Sequence, residues 1–228
     1  KRVILNLESQ PFKKNMSSEC ADNFNDQDFY DKMDEKQHLL GFKNGVYDLD
    51  KLEFRDGLSN DYITMTTGIN YIPYNKKNKG LETFLYQIMP KDNIRKYLMK
   101  LIASTLRFRK DNKFYIWTGH GGAGKSTLIN LIERSFGKYT FSFPITLLTQ
   151  KRAASNSATP ELAKGKGKRF GSLNEPDDGD KLNVGLFKQL SGGDNIECRR
   201  LFEDPIEYKP QYRLILLCNH LPVIGGKK

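Results

Sequence analysis

Cysteine and histidine are scarce in this sequence, and their placement excludes two classes of protein. The chain has 3 cysteines, Cys20, Cys198 and Cys218, and no pair of them stands in C-x-x-C spacing. An odd number of scattered cysteines argues against a disulfide framework and favours reduced thiols. The 3 histidines are equally scattered along the chain, so we do not expect a structural zinc site.

Long apolar runs are also missing. No stretch approaches the ~18 consecutive apolar residues that a transmembrane helix needs, and the apolar run within residues 1–7 is too short for a signal peptide. We therefore expect no membrane partner. The sequence begins with Lys1 rather than methionine, which predicts a fragment or an excised domain of a longer protein.

Negative charge is in short supply relative to positive charge. The 37 lysines and arginines outnumber the 27 aspartates and glutamates, which gives a formal net charge of +10. Such an excess favours a polyanionic partner such as nucleic acid. A surplus of lysine also occurs in proteins that bind no nucleic acid, so charge alone does not decide the partner.

The most informative feature that is present is a glycine-rich stretch with the pattern G-x-x-x-x-G-K-S. A short aromatic and β-branched run, 114–117, precedes it, and apolar residues at helical spacing follow it until Gly137. This order of strand, loop and helix is the context of a phosphate-binding P-loop, in which backbone N–H groups and a helix N-terminus face the anion. A chance glycine-rich turn is the alternative, and the flanking elements disfavour it. The candidate ATP-binding residues are Gly119, His120, Gly121, Gly122, Ala123, Gly124, Lys125, Ser126 and Thr127.

Two residues of this loop have predicted roles beyond the backbone. Lys125 is expected to reach the β- and γ-phosphates, and Ser126 is the expected metal ligand. The predicted cofactors are therefore ATP and Mg²⁺.

A carboxylate that could activate water follows a weak strand at 170–175. Glu175 stands 50 residues beyond Lys125, and at the carboxyl end of a parallel strand it would face the phosphates, so it is the candidate general base. Asn174 occupies the place where many P-loop enzymes carry a Mg²⁺-coordinating aspartate, so the metal would depend more on Ser126, phosphate oxygens and water. A nearby acidic run is more typical of an exposed turn than of a metal site. Its members are Asp177, Asp178 and Asp180.

The most apolar strand of the chain, 213–219, is predicted to be a central parallel strand. It ends in Asn219, whose amide could orient the attacking water next to the γ-phosphate. The following His-Leu-Pro leaves a second interpretation open, in which Asn219 only terminates the strand in a turn. The predicted catalytic residues are thus Lys125, Glu175 and Asn219.

The remainder of the chain gives an ordered series of expectations. Residues 8–38 are polar and predict an exposed loop with one short helix. A hairpin with its turn at Asn44–Gly45 should then begin a small β-rich subdomain that continues to residue 66. The basic, apolar-free stretch 75–80 is the candidate linker. Two helices, over 81–88 and from 92 to 105, should follow it.

Two basic stretches beyond the P-loop have more than one interpretation. The run Lys164–Arg169 carries four positive charges and is either a solvated loop or a segment close to nucleotide or nucleic acid. Two strand-like runs between residues 188 and 210 predict a hairpin inserted before the last strand.

The order of these motifs resembles the superfamily 3 helicases, and within them the poxvirus-type helicase-primase ATPases of large DNA viruses and many phages. The match spans about residues 39 to 224. In this family a later segment carries an arginine that completes the active site of the neighbouring copy, and a primase domain usually lies upstream. Neither the arginine segment nor the primase domain is expected within these 228 residues. The motifs that carry the resemblance are the P-loop, Pro160–Leu162, Gly167–Arg169, Asn174–Pro176, Lys188–Asp194, Arg199, Pro210 and Asn219–Pro222, preceded by Gly41–Leu49 with Asp61, Tyr62 and Thr64.

This resemblance implies an α/β fold, an AAA+ type P-loop ATPase core with a central mostly parallel sheet, preceded by helices and a small β-rich subdomain. The expected domains are a β-rich lead-in at 1–75, a helical linker or collar at 76–112, and a helicase core at 113–228, truncated at its C-terminus. The hairpin of 195–209 would project into a channel, and its cations would contact DNA, unless they pair with glutamates of the same hairpin. These candidate DNA-binding residues are Arg199, Arg200 and Lys209.

The function implied is an ATP-dependent DNA helicase for viral or phage genome replication, moving on single-stranded DNA. The implied partners are single-stranded DNA, further copies of the chain, as a hexamer, and a primase on the parent chain. The implied location is the host cytoplasm or a viral replication site. Two other functions use the same P-loop: a nucleotide- and DNA-binding assembly module without turnover, and a small-molecule kinase.

Overall fold

The computed structural model describes Asn6 and residues 8–26, 28–75, 77–107, 113–150, 158–177 and 180–225. It divides into two compact units, 1–33 and 34–228. The predicted domain boundaries at 75 and 112 both fall inside the second unit and stay predictions.

The first unit is helical where an exposed loop with one short helix was expected. Helix α1 (Gln10–Asn23) is 14 residues long and has no buried side chain, and α2 (Phe29–Lys32) is a single turn. A proline in the first turn of α1 suits a helix start, because the missing N–H would have no partner there. The prediction of an exposed segment holds, whereas the helix is longer than its weak apolar periodicity indicated.

The second unit begins with the predicted small sheet. Its strands are antiparallel in the order β1 (Leu39–Phe42), β2 (Gly45–Asp48) and β3 (Glu53–Arg55). The turn differs from the prediction, because Phe42 pairs with Gly45 and the two central turn residues are therefore 43 and 44. Neither has a positive φ, so this is not the type I′ turn that the Asn-Gly dipeptide favours. The expected strand at 62–66 is also absent from the described elements.

Two amphipathic helices follow, as predicted. Helix α3 (Lys79–Ile88) starts at an Asn78 cap, whose side-chain oxygen accepts the Leu81 amide at 3.1 Å. Helix α4 (Asp92–Thr105) has Lys91 at the cap position and Asp92 as its first helical residue. The Asp92 carboxylate pairs with basic side chains one turn later, where a negative charge also complements the helix dipole.

A four-stranded parallel sheet forms the centre of the second unit. In spatial order its strands are β4 (Tyr115–Thr118), β10 (Arg213–Cys218), β6 (Phe170–Leu173) and β5 (Thr140–Phe143). The predicted central strand, β10, therefore does lie between two neighbours. All carboxyl ends of a parallel sheet lie at one edge, which is where α/β proteins bind their ligands.

The remaining elements surround this sheet. A helix at Val184–Gly192 was not predicted, so the strand-like interpretation of residues 188–192 is wrong. Asn183 caps this helix, because its side-chain oxygen accepts the Gly185 amide at 3.0 Å. The remaining helices are α5 (Lys125–Phe136), α6 (Thr146–Thr149), α7 (Pro160–Ala163) and α8 (Val184–Gly192), and the remaining strands are β7 (Lys181–Asn183), β8 (Ile196–Cys198), β9 (Ile206–Tyr208) and β11 (Val223–Gly225).

Side chains along β10 pack alternately into the hydrophobic clusters on the two faces of the sheet. Leu214 and Leu216 belong to the hydrophobic cluster on one face of the sheet, and Ile215 belongs to the cluster that includes α5 on the other face. Each of the three is at most 4% exposed. Both faces of the sheet are therefore covered, as expected for a strand with a continuous apolar run.

The small antiparallel sheet is joined to this core by buried polar contacts. The Tyr139 hydroxyl accepts the Gly41 amide at 2.8 Å and donates to the Met65 carbonyl at 2.9 Å. Arg169 is 2% exposed, and its guanidinium donates to Gln211 Oε1 at 2.7 Å. The basic run 164–169 is thus partly structural, because its last arginine is buried inside the fold.

Within the part of the chain that the structure describes, none of the helices combines the length and the apolar character needed to span a bilayer.

Candidate functional site

Three neighbouring strands of the parallel sheet end at the candidate site. Strand β4 leads into the glycine-rich loop, β6 leads to Asn174 and Glu175, and β10 leads to Asn219. Because β10 lies between β4 and β6, its terminal Asn219 comes between the loop and the carboxylate. The sheet order therefore explains why residues far apart in sequence meet at one place.

Glycines allow the loop its path. Gly122 and Gly124 have φ angles of 79° and 83°, in the left-handed region that favours glycine. A Cβ at Gly124 would lie 2.5 Å from Ile88 Cγ2, whereas one at Gly121 would meet nothing within 4 Å. The loop thus turns sharply against α3 on one side and stays open on the other.

The three predicted catalytic residues form one hydrogen-bonded chain. Lys125 Nζ donates to Asn219 Oδ1 at 3.0 Å and to the His120 carbonyl at 3.2 Å, and it also contacts the Gly119 carbonyl. Asn219 Nδ2 donates to Glu175 Oε2 at 2.8 Å, and the Asn219 backbone amide donates to Glu175 Oε1. Asn219 therefore holds both carboxylate oxygens on one side and the ammonium on the other.

These groups line a cavity of about 430 Å³, within the usual size range of small-molecule sites. The loop amides at Gly121, Gly122, Gly124 and Lys125 donate to no other described residue, so they retain their capacity to bind an anion. The cavity is lined by residues 121–127, Asn174, Glu175, Leu217, Cys218 and Asn219.

Cys218 lines the cavity, which was not predicted from the sequence. It is 1% exposed, and burial raises the pKa of its thiol, with the Glu175 carboxylate adding to the rise. A neutral thiol next to the acidic group avoids a second negative charge at the site. Its position directly before Asn219, at the end of a predicted central strand, was the available signal.

A second contact that sequence patterns did not indicate fixes the helix after the loop against β6. The hydroxyl of Ser172 donates to Glu133 Oε1 at 3.1 Å, and Ser172 is 4% exposed. Ser172 belongs to the strand that ends near Glu175, and Glu133 belongs to α5, which begins at Lys125. The bond therefore ties together the two elements that carry the ammonium and the carboxylate.

Comparison with known proteins finds longer viral relatives of this chain. Residues 1–90 match the family described as D5 N terminal like, and residues 117–228 match a family described as DUF5906, of unknown function. A protein of Acanthamoeba polyphaga mimivirus named "Putative helicase" is 40% identical over 227 residues, which cover 98% of this chain and 24% of that protein. The chain belongs to a viral helicase-primase family.

Other relatives of this helicase-primase family cover the same stretch. A "Putative helicase" of Invertebrate iridescent virus 3 is 32% identical over 98% of this chain and 25% of its own length. A "Putative primase" of African swine fever virus is 25% identical over 92% of this chain and 22% of its own length. The chain thus spans about a quarter of the length of the curated relatives that it matches.

A solved structure shares the fold of this helicase-primase family member. The apo C-terminal region of NrS-1 superposes with a TM-score of 0.53 at 16% identity, over 66% of this chain and 36% of that chain. At this level of identity the likeness concerns the fold alone. It agrees with the α/β class predicted from the sequence.

The predicted DNA-binding residues of this chain lie apart from the cavity lining, on or beside the β8–β9 hairpin. The two strands are antiparallel, and Arg199 and Arg200 follow β8 directly. Arg200 pairs with Glu203 at 3.3 Å, which matches the open alternative of pairing within the hairpin. Lys209 follows β9 and is exposed. The structure therefore places all three on one hairpin and does not bring them to the Lys125 site.

The predicted acidic turn is only partly described. The Asp180 amide donates to the Asp177 carbonyl at 3.0 Å, as a turn requires, and Asp178 lies outside the described residues. Within the described ranges no group of three or more histidine, cysteine or acidic side chains is arranged to hold a metal ion.

Proposed function

We propose that this chain is the ATPase core of a DNA helicase, with an AAA+ type P-loop fold, that acts in viral genome replication. The observation that carries the proposal is the convergence of Lys125, Asn219 and Glu175 at one cavity beside the glycine-rich loop. A phosphate-binding loop alone would support many functions. A carboxylate and an amide held at its outer edge favour hydrolysis of the bound polyphosphate.

The residues that line the cavity fit a nucleoside triphosphate. The loop offers amides that donate to no other described residue, and the start of α5 adds the positive end of a helix dipole. Lys125, which bonds two loop carbonyls and Asn219, would supply the positive charge that pairs with the phosphates. ATP would supply the phosphoryl group that is transferred to water.

The residues also fit Mg²⁺ held with few protein ligands. Ser126 and Asn174 line the cavity and present oxygen donors, which this cation prefers. Mg²⁺ usually keeps several waters and phosphate oxygens in its coordination shell, so a cluster of carboxylates is not required. Ser126 is the proposed direct ligand, as the first hydroxyl of α5.

Glu175 is the proposed general base and Asn219 the residue that orients the water. With both oxygens bonded by Asn219, the carboxylate is fixed in direction. A water beside Glu175 would lose a proton to the carboxylate as it attacks the outer phosphate. If Lys125 exchanged its contact with Asn219 for a phosphate contact, Asn219 Oδ1 would be free to accept a hydrogen bond from that water.

Single-stranded DNA is the proposed second ligand. The net charge of +10 favours a polyanion, and the names of the viral relatives are those of helicases and a primase. The chain spans only part of those relatives, so ring formation by several copies, as a hexamer, and an associated primase are proposed for the complete protein.

The proposal is tested by measuring free phosphate released from MgATP with and without single-stranded DNA. We expect hydrolysis whose rate rises several-fold with oligothymidylate, on the order of the coupling found between linked ligand sites. The longer parent protein is the appropriate sample, because neighbouring copies complete the site in the proposed ring.

Two other outcomes would contradict the helicase proposal. Tight ATP binding without phosphate release, even at high protein concentration, would indicate an assembly module. Appearance of the phosphate on an organic acceptor instead of in solution would indicate a small-molecule kinase.

The hairpin is tested separately by the double variant Arg199→Ala/Arg200→Ala. We expect weaker binding of single-stranded DNA and a fall of about 1.4 in the slope of log affinity against log salt, about 0.7 for each phosphate that is no longer neutralised. ATP affinity should be unchanged, because these residues lie outside the cavity.

A matched control for the hairpin is Lys13→Ala/Lys14→Ala, which removes the same charge from the exposed helix α1. Equal decreases in DNA affinity in both double variants would show a general charge effect and exclude a hairpin contact. Loss of the folded structure in the arginine variant would instead assign those arginines to ion pairing within the hairpin.

A further inference from the structure

A second surface suited to single-stranded nucleic acid lies between the small sheet and helix α3. Its apolar members, Ile72 and Tyr74, are 76% and 80% exposed, although most aromatic and β-branched side chains of a folded protein are largely covered. Lys77 and Lys79 follow within a few residues and are exposed as well. These four residues are here called the junction surface.

On the side of the small sheet, contacts of Tyr71 hold the segment that carries the junction surface in place. Tyr71, directly before Ile72, donates its amide to Asn44 Oδ1 at 2.8 Å and accepts Asn44 Nδ2 at 3.1 Å through its carbonyl. The Tyr71 ring stacks on Phe54 with centroids 4.5 Å apart and planes 20° apart. This end of the segment is therefore fixed by both backbone and side chain.

The other end is fixed by the start of helix α3. Lys79 is the first helical residue, and the preceding Asn78 caps the helix. Pro73 also restricts the segment, because its own φ is fixed and the residue before it is driven to an extended conformation. Ile72 and Tyr74 flank this proline directly. An aromatic side chain presented in this way loses less conformational freedom on binding than one on a mobile tail.

Charge selects the kind of partner. Residues 69–81 contain no aspartate or glutamate, and Lys43, whose backbone amide donates to the Ile69 carbonyl at 3.0 Å, is another exposed cation beside the segment. A second copy of the chain, with its net charge of +10, would be repelled by such a surface. A polyanion with flat apolar groups would be attracted to it, and single-stranded nucleic acid has both properties.

We propose that the junction surface binds single-stranded nucleic acid, with a base stacked on Tyr74 and backbone phosphates paired with Lys77 and Lys79. The inference extends the proposed function, on which it rests for the identity of the ligand, by naming a contact site outside the hairpin. Ile72 supplies apolar surface beside the stacked base. Binding here requires neither nucleotide nor the Lys125 site.

Tyr74→Ala tests the stacking contact in fluorescence-anisotropy titrations of labelled oligothymidylate without nucleotide. We expect affinity to fall about 10-fold, within the range found when a base-stacking aromatic is removed. Tyr74→Phe keeps the ring and should bind within about twofold of the original chain. Tyr30→Ala is the matched control, because Tyr30 is 77% exposed in the separate N-terminal unit.

The lysines are tested by Lys77→Ala/Lys79→Ala against the same charge removal in Lys13→Ala/Lys14→Ala. The first pair should lower the salt slope by about 1.4, as expected for two single-strand phosphate contacts, and the second should leave it unchanged. Equal effects of Tyr74→Ala and Tyr30→Ala would overturn the proposal. So would a Tyr74→Ala variant that self-associates less but binds DNA normally, because the occupant would then be a second copy.

Failure here is distinguishable from failure of the ATPase proposal. If Tyr74→Ala binds DNA normally while ATP hydrolysis still depends on Lys125, only the proposal for the junction surface is excluded. If the parent protein hydrolyses no ATP but Tyr74→Ala loses DNA binding, only the ATPase proposal is excluded.

Discussion

Replacement of Glu175 by glutamine is expected to lower the rate of ATP hydrolysis by about 100-fold or more, the usual contribution of a general base. Glutamine has nearly the same shape, and its amide oxygen can still accept one hydrogen bond from Asn219. It cannot accept a proton from water. ATP affinity should therefore stay within a few-fold of the original value, and the loss should appear in kcat.

The measurement is a comparison of phosphate release and equilibrium ATP binding for Glu175→Gln and for Glu82→Gln. Glu82 is exposed on α3, outside the cavity lining, so its substitution removes a carboxylate without touching the site. Undiminished hydrolysis by Glu175→Gln would exclude Glu175 as the base. Equal losses of ATP binding and turnover would mean that the carboxylate positions the nucleotide.

Replacement of Lys125 by alanine is expected to weaken ATP binding by about 100-fold, because charge-assisted hydrogen bonds to phosphate contribute about 1.5–3 kcal/mol each. Hydrolysis should then be undetectable at ordinary ATP concentrations. The free energy of unfolding should change little, since the Lys125 ammonium bonds two loop carbonyls and Asn219 at a partly solvated site. Calorimetric titration with MgATP measures the affinity directly.

Lys188→Ala is the matched control for that experiment. Lys188 is an exposed residue of α8 and does not line the cavity, so its removal lowers the net charge equally without removing a phosphate partner. An ATP affinity that is the same in both variants would contradict the proposed role of Lys125.

Sequence patterns predicted the central architecture because they are strong in this chain. The apolar run of β10 could hardly be anything but a buried parallel strand, and Gly137, with φ of 53°, does end the helix that follows the loop. The strand tips could be placed at one edge because parallel strands share a direction. The meeting of Asn219 with Glu175 follows from that placement once β10 lies next to β6.

Local signals failed where tertiary contacts override them. The Asn44–Gly45 pair predicted a type I′ turn, but the Asn44 side chain is used to bind the Tyr71 backbone, and the turn forms one residue earlier. Helix α8 was missed because its glycines and serine disfavour a helix by propensity, while the Asn183 cap and the buried Leu190 stabilise it.

Some features of the site have no sequence signal at all. Whether the arginine of the basic run is solvated or buried depends on Gln211, which lies 42 residues away in sequence. The contact of Ser172 with Glu133 likewise needs the packing of α5 on the sheet. Such pairs are fixed by three-dimensional packing, so residue types alone leave them undetermined.

The most direct test of the central claim is a crystal structure of the chain with Mg²⁺ and a non-hydrolysable ATP analogue. We expect the polyphosphate to lie against the amides that precede Lys125, with its outer phosphate closest to Glu175 and Asn219. A nucleotide bound elsewhere, or an outer phosphate directed away from both side chains, would contradict that claim.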